Sequence, residues 1–340
     1  MLESKSRAKM LSGKIAVWLM ATVLLATIPA AVAQEGKKTP WIGYLAGVGA
    51  GPSPAFIQGL RDLGYVEGKN IGFVYRTAEG ESGRYADLAA ELVRLQVDII
   101  VADSAGMALA VKKATNTIPI VMAGLTTDPV KTGLVASLAR PGGNVTGLTN
   151  VAGELGGKFL ELLREIVPKL NRVAILRASS VFGVDDVFIK ETEVPARALG
   201  VQLVTVRVQD ADDFEGAFRS MTKERVNGLI TRLFPNTYSV PFKRVADLTM
   251  KNHLPSISSQ FAWTDAGGLM SYGADLNIMY RRAATYVDKI LKGAKPADLP
   301  VEQPKKFELI INLKAAKQID VTIPPSVLAR ADRVIRERRQ

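Results

Sequence analysis

The stretch DPVKTGLVASLARPGGNVTGLTN, residues 128–150, decides how the rest of the chain is read. Asp128 suits a helix N-cap, and Pro129 suits the first helical position, where its missing N–H has no intrahelical partner to lose. Val130, Leu134, Val135 and Leu138 recur at helical spacing, which predicts a helix from Pro129 onward. Pro141-Gly142-Gly143-Asn144 stops it. Residues 145–149 favour a strand, and a new amphipathic helix follows. This pattern predicts a chain that leaves one α/β lobe near Thr149 and enters a second, with a binding cleft between the two.

Upstream of that stretch, compact apolar runs at residues 41–46, 71–75, 97–102 and 118–123 read as strands. Helical segments alternate with them at 54–63, along the stripe Tyr85, Leu88, Ala89, Leu92 and Val93, and at 103–114. Downstream, strands at 173–176, 201–208, 228–231 and 255–258 alternate with helices through Leu155–Ile166, 185–199, 212–222 and 240–252. Alternation of this kind is the pattern of a parallel, doubly wound sheet, and continuously apolar strands are expected where both faces are covered. Residues 267–273 read as a return crossing, followed by a helix at 276–291, an extended proline-punctuated run at 296–304 and a last strand at 307–312. The fold class is therefore α/β, with two doubly wound parallel-sheet lobes joined by a three-strand hinge. Crossings are expected near Thr149, Tyr272 and Pro300. Lobe one takes residues 34–149 and 273–299, and lobe two takes 150–272 and 300–340.

Composition narrows the functions open to such a chain of 340 residues, 47% hydrophobic and 23% charged. The absence of cysteine excludes disulfides, thiolate metal sites, thiol nucleophiles and a lipid anchor on an N-terminal cysteine. One histidine, His253, leaves no histidine-rich metal site and little basis for a Ser-His-Asp triad; it reads as late in a helix. Residues 1–33 read as a cleaved export signal: Lys5, Arg7, Lys9 and Lys14 precede an uncharged apolar core at 15–28, and Ala31-Val32-Ala33 fits a cleavage site. That core is short for a spanning helix, which needs about 20 residues. Of the net charge of +11, removal of the leader leaves +8 (40 Lys and Arg minus 32 Asp and Glu), with the basic residues scattered apart from the tail. Export and this scatter both argue against nucleic acid as a partner. The tail from Arg330 to Arg339, with Asp332 and Glu337 interspersed, reads as a solvated helix face.

In open α/β sheets, ligands bind beyond the carboxyl ends of the strands. That rule selects Gly49 in the first loop, then Asp103, Ser104 and Ala105, then Thr126, Thr127 and Asp128. In the second lobe it selects Arg177 and Ser179, Arg232 and Asn236, and Gln260. Asn150 and Tyr272 lie at crossings. Ser104 and Ala105 open a helix and Thr126 and Thr127 precede another, so both places suit a carboxylate; equally, Ser104 and Asp128 only cap their helices. Arg177 and Arg232 occupy equivalent strand ends and could grip an anionic ligand with paired hydrogen bonds. Either could instead face water or pair with Asp185 or Asp186. Asp103 could take a ligand ammonium or stand as a solvated loop acid. Phe234, Tyr238, Phe261, Trp263 and Tyr272 offer stacking surfaces or core edges. The loop at 47–53 imitates a dinucleotide fingerprint with Gly47 and Gly49, but Pro52 stands where the third glycine belongs. No cofactor is expected.

Several runs resemble one known family: GLRDLGYVEG at 59–68, LAAELVRL at 88–95, residues 128–148, 267–273, 281–290 and 297–304, and 307–331 ending in IPPSVLARA. They resemble the ABC-transporter substrate-binding proteins whose characterised members take up tryptophan or tyrosine. The resemblance covers essentially all of the chain after the leader. It implies the type 1 periplasmic binding-protein fold, a small-molecule ligand, membrane subunits of an ABC transporter as partners, a periplasmic location and no enzymatic activity. Departures fall at the lobe-two strand ends. Family members often carry Asn-Pro where this chain has Arg177-Ala-Ser-Ser, and Asp-Pro in the loop that here reads Arg232-Leu-Phe-Pro-Asn. The expected function is an exported receptor, working as a monomer, for an amino acid or other carboxylate. The alternatives are a sensor subunit serving a membrane receptor and an exported enzyme on the same architecture.

Overall fold

The structure, a computed structural model, describes residues 39–47, 51–125, 128–150, 153–178, 184–209, 212–233 and 242–337. The leader read at residues 1–33 lies outside them. Two sheets organise the described chain. The first is wholly parallel, in the order β2-β1-β3-β4-β5. Its strands are β1 (Trp41–Ala46), β2 (Gly72–Thr77), β3 (Ile99–Ala102), β4 (Ile120–Leu125) and β5 (Val145–Thr149). Between them run α1 (Pro54–Asp62), α2 (Tyr85–Arg94) and α3 (Ala105–Ala114).

The second sheet repeats the winding. It contains β6 (Arg172–Ala178), β7 (Gln202–Val208), β8 (Gly228–Arg232), β9 (Ser256–Ser258) and β10 (Met270–Gly273). Its intervening helices are α4 (Gly153–Ile166), α5 (Val184–Ala198), α6 (Asp213–Lys223), α7 (Phe242–Lys251) and the short α8 (Phe261–Asp265). After β10 the chain forms α9 (Leu276–Leu291), then β11 (Glu308–Asn312), α10 (Leu313–Gln318), α11 (Pro325–Leu328) and β12 (Arg333–Ile335). The order across this sheet is β12-β11-β10-β9-β8-β6-β7, with β11 antiparallel to β10. The second sheet is thus parallel only through β10, a refinement of the all-parallel expectation.

Strand residues divide between two cores by the two-residue period. Leu45, Ile100, Ala102 and Met122 pack with α2 and α3 on one face. Ile42, Tyr44, Ile99, Val101 and Val121 pack with α1 and α9 on the other. The second sheet is covered likewise, by α4 and α5 on one face and by α6 and α7 on the other. Burial on both faces explains the unbroken apolar runs. The helix α9 thus covers the first sheet, although it follows a strand of the second.

Three segments connect the sheets: the one after β5, the one after β10, and the one before β11. The third lies along β5, with Thr149 N–H donating to Glu302 O at 3.0 Å and Glu302 N–H to Gly147 O at 3.0 Å.

Several sequence expectations need correction. The helix predicted from Pro129 is a single turn. Gly133 adopts φ +73°, its N–H donates to Val130 O at 2.9 Å, and Leu134 N–H donates to Pro129 O at 2.8 Å. That pairing is a glycine-terminated helix stop, so Gly133 ends the helix eight residues before Pro141 does. Leu134 and Val135 are buried against the first core all the same, which is why the apolar spacing imitated a helix. The charged tail contains the strand β12 rather than a helix face, because Ile310, Ile311 and Asn312 pair with Arg333, Val334 and Ile335. His253 lies beyond the end of α7 in a turn with φ 47°, its Nδ1 3.5 Å from Asp320.

Candidate functional site

Both sheets have a place where the chain reverses its direction across the sheet. In the first it falls between β1 and β3, and in the second between β6 and β8. Crevices form at such points because the following loops diverge to opposite faces, and ligands bind there.

A cavity of about 440 Å³ opens at the first of these, within the roughly 300–1,000 Å³ common for small-molecule sites. Tyr44 of β1, Ser53 before α1 and Asp103 after β3 line it from the first sheet. Ser259, Gln260 and Phe261, beyond β9, line it from the second. Asp275, Asn277 and Tyr280, at the start of α9, close a third side. The cavity therefore draws on both lobes and on one segment between them. No lysine or arginine is among its lining residues, while Asp103 and Asp275 are.

Asp103 is the distinctive group. Its Oδ1 is enclosed and has no hydrogen-bond partner. Burial pushes its carboxyl up to about 8, against a smaller opposing effect of its own backbone N–H. Tyr44, 1% exposed, is raised well above its ordinary range, first by burial and then by the charge of Asp103. Burial without a cation among the described lining residues favours the protonated carboxyl, and a cation arriving beside it would favour the ionised form.

The helix N-termini at the cavity are capped by the chain itself. Pro54 has no N–H, Ser53 Oγ accepts from Ala55 N–H at 3.3 Å, and Asp275 accepts from Asn277 N–H at 2.8 Å. Ser104 caps α3 by accepting from Met107 N–H at 3.3 Å, with Ala105 buried behind it. No helix directly follows Asp128, so the helix N-terminus expected beside Thr126 and Thr127, which lie outside the described residues, is not there. Asp128 instead accepts from Val130 N–H at 2.8 Å and Lys131 N–H at 3.2 Å. The segment that ends Gln260 is fixed firmly. Ser271 Oγ donates to Gln260 O at 2.8 Å, and a Cβ at Gly273 would stand 2.2 Å from Ser259 O.

Of the residues singled out from sequence, the cavity gathers Asp103, Gln260 and the stacking candidate Phe261. Arg177 and Arg232 stand side by side at the second reversal point, paired in register and 4% and 1% exposed. Arg177 Nη2 meets Asp186 at 2.9 Å, and the Arg232 guanidinium lies 4.3 Å from the Phe188 ring centre. Asn150 is 1% exposed, and neither of its side-chain polar atoms has a partner. Tyr272 sits inside the second sheet, stacked on Phe307 at 5.8 Å. Trp263 is core, edge-on to Phe242. Gly49, Thr126, Thr127, Ser179 and Asn236, with Phe234 and Tyr238, lie outside the described residues. Sequence reading missed Tyr44, hidden inside a strand, and the α9 residues Asn277 and Tyr280. The N-cap Asp275 directly after a crossing was the available signal for the latter.

With this geometry in view, comparison with known proteins is decisive. The model of the ABC transporter substrate binding protein family matches residues 53–335. The chain belongs to that family. It is 28% identical over 271 residues to a tyrosine-binding protein of Clostridioides difficile, covering 78% of this chain and 75% of that one. The fold matches a conserved domain protein from Vibrio cholerae with a TM-score of 0.78 at 29% identity, over 87% of this chain and 100% of the other. It also matches an ABC domain from Streptococcus pneumonia in complex with L-Trp, with a TM-score of 0.77 at 28% identity and the same coverage. The family and the two-lobed α/β fold thus agree with the resemblance read from the sequence.

Proposed function

We propose that this protein is the exported solute receptor of an ABC importer, and that its solute is an amino acid held between the lobes. The enclosed Asp103 carboxyl, its Oδ1 without a partner, in a cavity with no basic residue among its described lining carries the reading. A ligand ammonium placed there draws the carboxyl into its ionised form and makes a charge-assisted hydrogen bond with it. The relative named as tyrosine-binding and the neighbour holding L-Trp support an amino acid as the class.

Lobe one comprises residues 34–149 and 273–299 in this proposal, and lobe two comprises 150–272 and 300–340. The three connecting segments act as the hinge. Because the cavity takes residues from both lobes, the ligand binds the closed form better than the open one, which is the condition for a solute to drive closure. The exposed Lys131 of lobe one reaches Glu191 of α5 in lobe two and adds a contact made only on closure. The basic, apolar leader directs export. No helix among the described residues is long and apolar enough to cross a membrane. The closed monomer is then what the membrane subunits recognise.

Calorimetric titration with the common L-amino acids tests the reading. At least one should bind with a micromolar or tighter constant, about −8 kcal/mol, and be recovered unchanged. Binding of none, or conversion of the one that binds, contradicts it.

A further inference from the structure

The second reversal point is built as if for an anion. Arg177 is buried, yet its Nε and Nη1 are enclosed without a partner. Asp186 satisfies only Nη2 and is itself largely exposed. A guanidinium keeps its charge at any ordinary pH and presents five N–H donors, so enclosed donors left idle are costly. Arg232 lies next to it in register and adds a second positive charge, its plane held on Phe188. Asn150, at the first crossing between the lobes, is a separate enclosed group whose amide has no partner. Neither arginine lines the cavity, but strand order puts both on the sheet edge that continues from its wall. β9 leads directly to Ser259 in the cavity wall, β8 is the next strand and β6 the one after. Neighbouring strands are about 5 Å apart, so the two arginine strand ends lie about 5 and 10 Å along the same sheet edge.

We propose that Arg177, with Arg232 beside it, forms a carboxylate subsite at the reversal point of the second sheet, so that the ligand carries a carboxylate there as well as an amine at Asp103. The inference rests on the interlobe cleft being the ligand site. A carboxylate arriving at Arg177 supplies the acceptor that Asp186 leaves missing, and Asn150 can donate from the hinge. The ligand then joins an acid of one lobe to a base of the other. Neither lobe alone satisfies both ends, so the open form forfeits one of them.

The test is titration of the purified protein with each common L-amino acid and, for the tightest, with its decarboxylated amine and its deaminated acid. The unaltered protein should bind the amino acid more than about thirtyfold better than the amine. In Arg177→Gln that preference should fall below about threefold, with Arg177→Lys intermediate, because lysine keeps the charge and loses the fork. Equal binding of amino acid and amine by the unaltered protein overturns the subsite. So does full preference retained in Arg177→Gln, or failure of every amino acid to bind. The comparison of ligands needs no variant, so a misfolded Arg177→Gln leaves the test standing. Asp103→Asn separates the two ideas. If it leaves the preference for amino acid over deaminated acid untouched while Arg177→Gln abolishes the preference over amine, the amine reading fails and the carboxylate subsite stands.

Discussion

The reversal point of the first sheet and that of the second share one winding and carry opposite kinds of ionisable group, an acid at one and bases at the other. Between β1 and β3 stand Tyr44 and Asp103, an acid with no base on its cavity wall. Between β6 and β8 stand Arg177 and Arg232, two bases with Asp186 at the edge. The same βαβ geometry builds both crevices; in folds of this kind the winding sets where a ligand can go and a few strand-end residues set what it can be. An acid alone would accept any amine, and a pair of arginines any anion; in the proposal above, the two together select a molecule with both.

Neutralising Asp103 breaks the comparison most sharply. Asp103→Asn preserves shape but removes the negative pole, and should weaken an amino acid by about 3 kcal/mol, roughly a hundredfold by calorimetry. A loss under about threefold would mean that the two crevices are not complementary poles of one site.

The pH dependence sharpens it. Burial holds the Asp103 carboxyl up near 8, so in the empty protein at neutral pH it is largely protonated, while an ammonium ligand requires it ionised. Affinity should therefore rise with pH up to about 8 by at most about tenfold per unit, with a proton released to buffer on binding. In the ligand-free protein the sign is opposite. The raised value means that Asp103 contributes stability below its unfolded value of about 4, and that this is lost as pH rises through about 8. Asp103→Asn should flatten both profiles, as read by titration and thermal melting across that range.

Smaller effects are expected at the turn of residues 128–133, where Lys131 meets Glu191. Gly133 takes φ +73° to end its single turn. Gly133→Ala should cost about 1 kcal/mol or somewhat more and lower the melting temperature by roughly 2–4 °C. Lys131→Ala removes the exposed pair with Glu191 and should weaken ligand binding by less than about fivefold, since surface ion pairs contribute about 0.2–1 kcal/mol. A larger loss would make that contact a main source of closure, with less assigned to the opposed poles.

Much of this was legible in the sequence, because both sheets are buried on two faces and their strands read as unbroken apolar runs. Asp103, Arg177 and Arg232 are legible as residues just beyond the carboxyl ends of apolar strands, whereas their place at the reversal points depends on strand order, which no local pattern encodes. The turn at 128–133 misled because Leu134 and Val135 are buried from an irregular backbone, and apolar spacing cannot tell that from a helix. The one-residue effect of Gly133 outweighed the spacing. Tyr44 and Tyr280 were hidden for another reason. Each lies within an element whose other side chains form core, and only packing of α9 over the first sheet turns them toward a cavity. Asn150 was placed at a crossing, but its idle amide is a matter of burial that no local pattern encodes.

The most direct test is a crystal structure of the protein with the tightest-binding amino acid. The account predicts the ligand between the two sheets, its nitrogen about 3 Å from an Asp103 carboxylate oxygen and its carboxylate at the Arg177 guanidinium. A ligand bound away from the interlobe cleft, or in the cleft with its ammonium on another group and Asp103 left unpartnered, would contradict it.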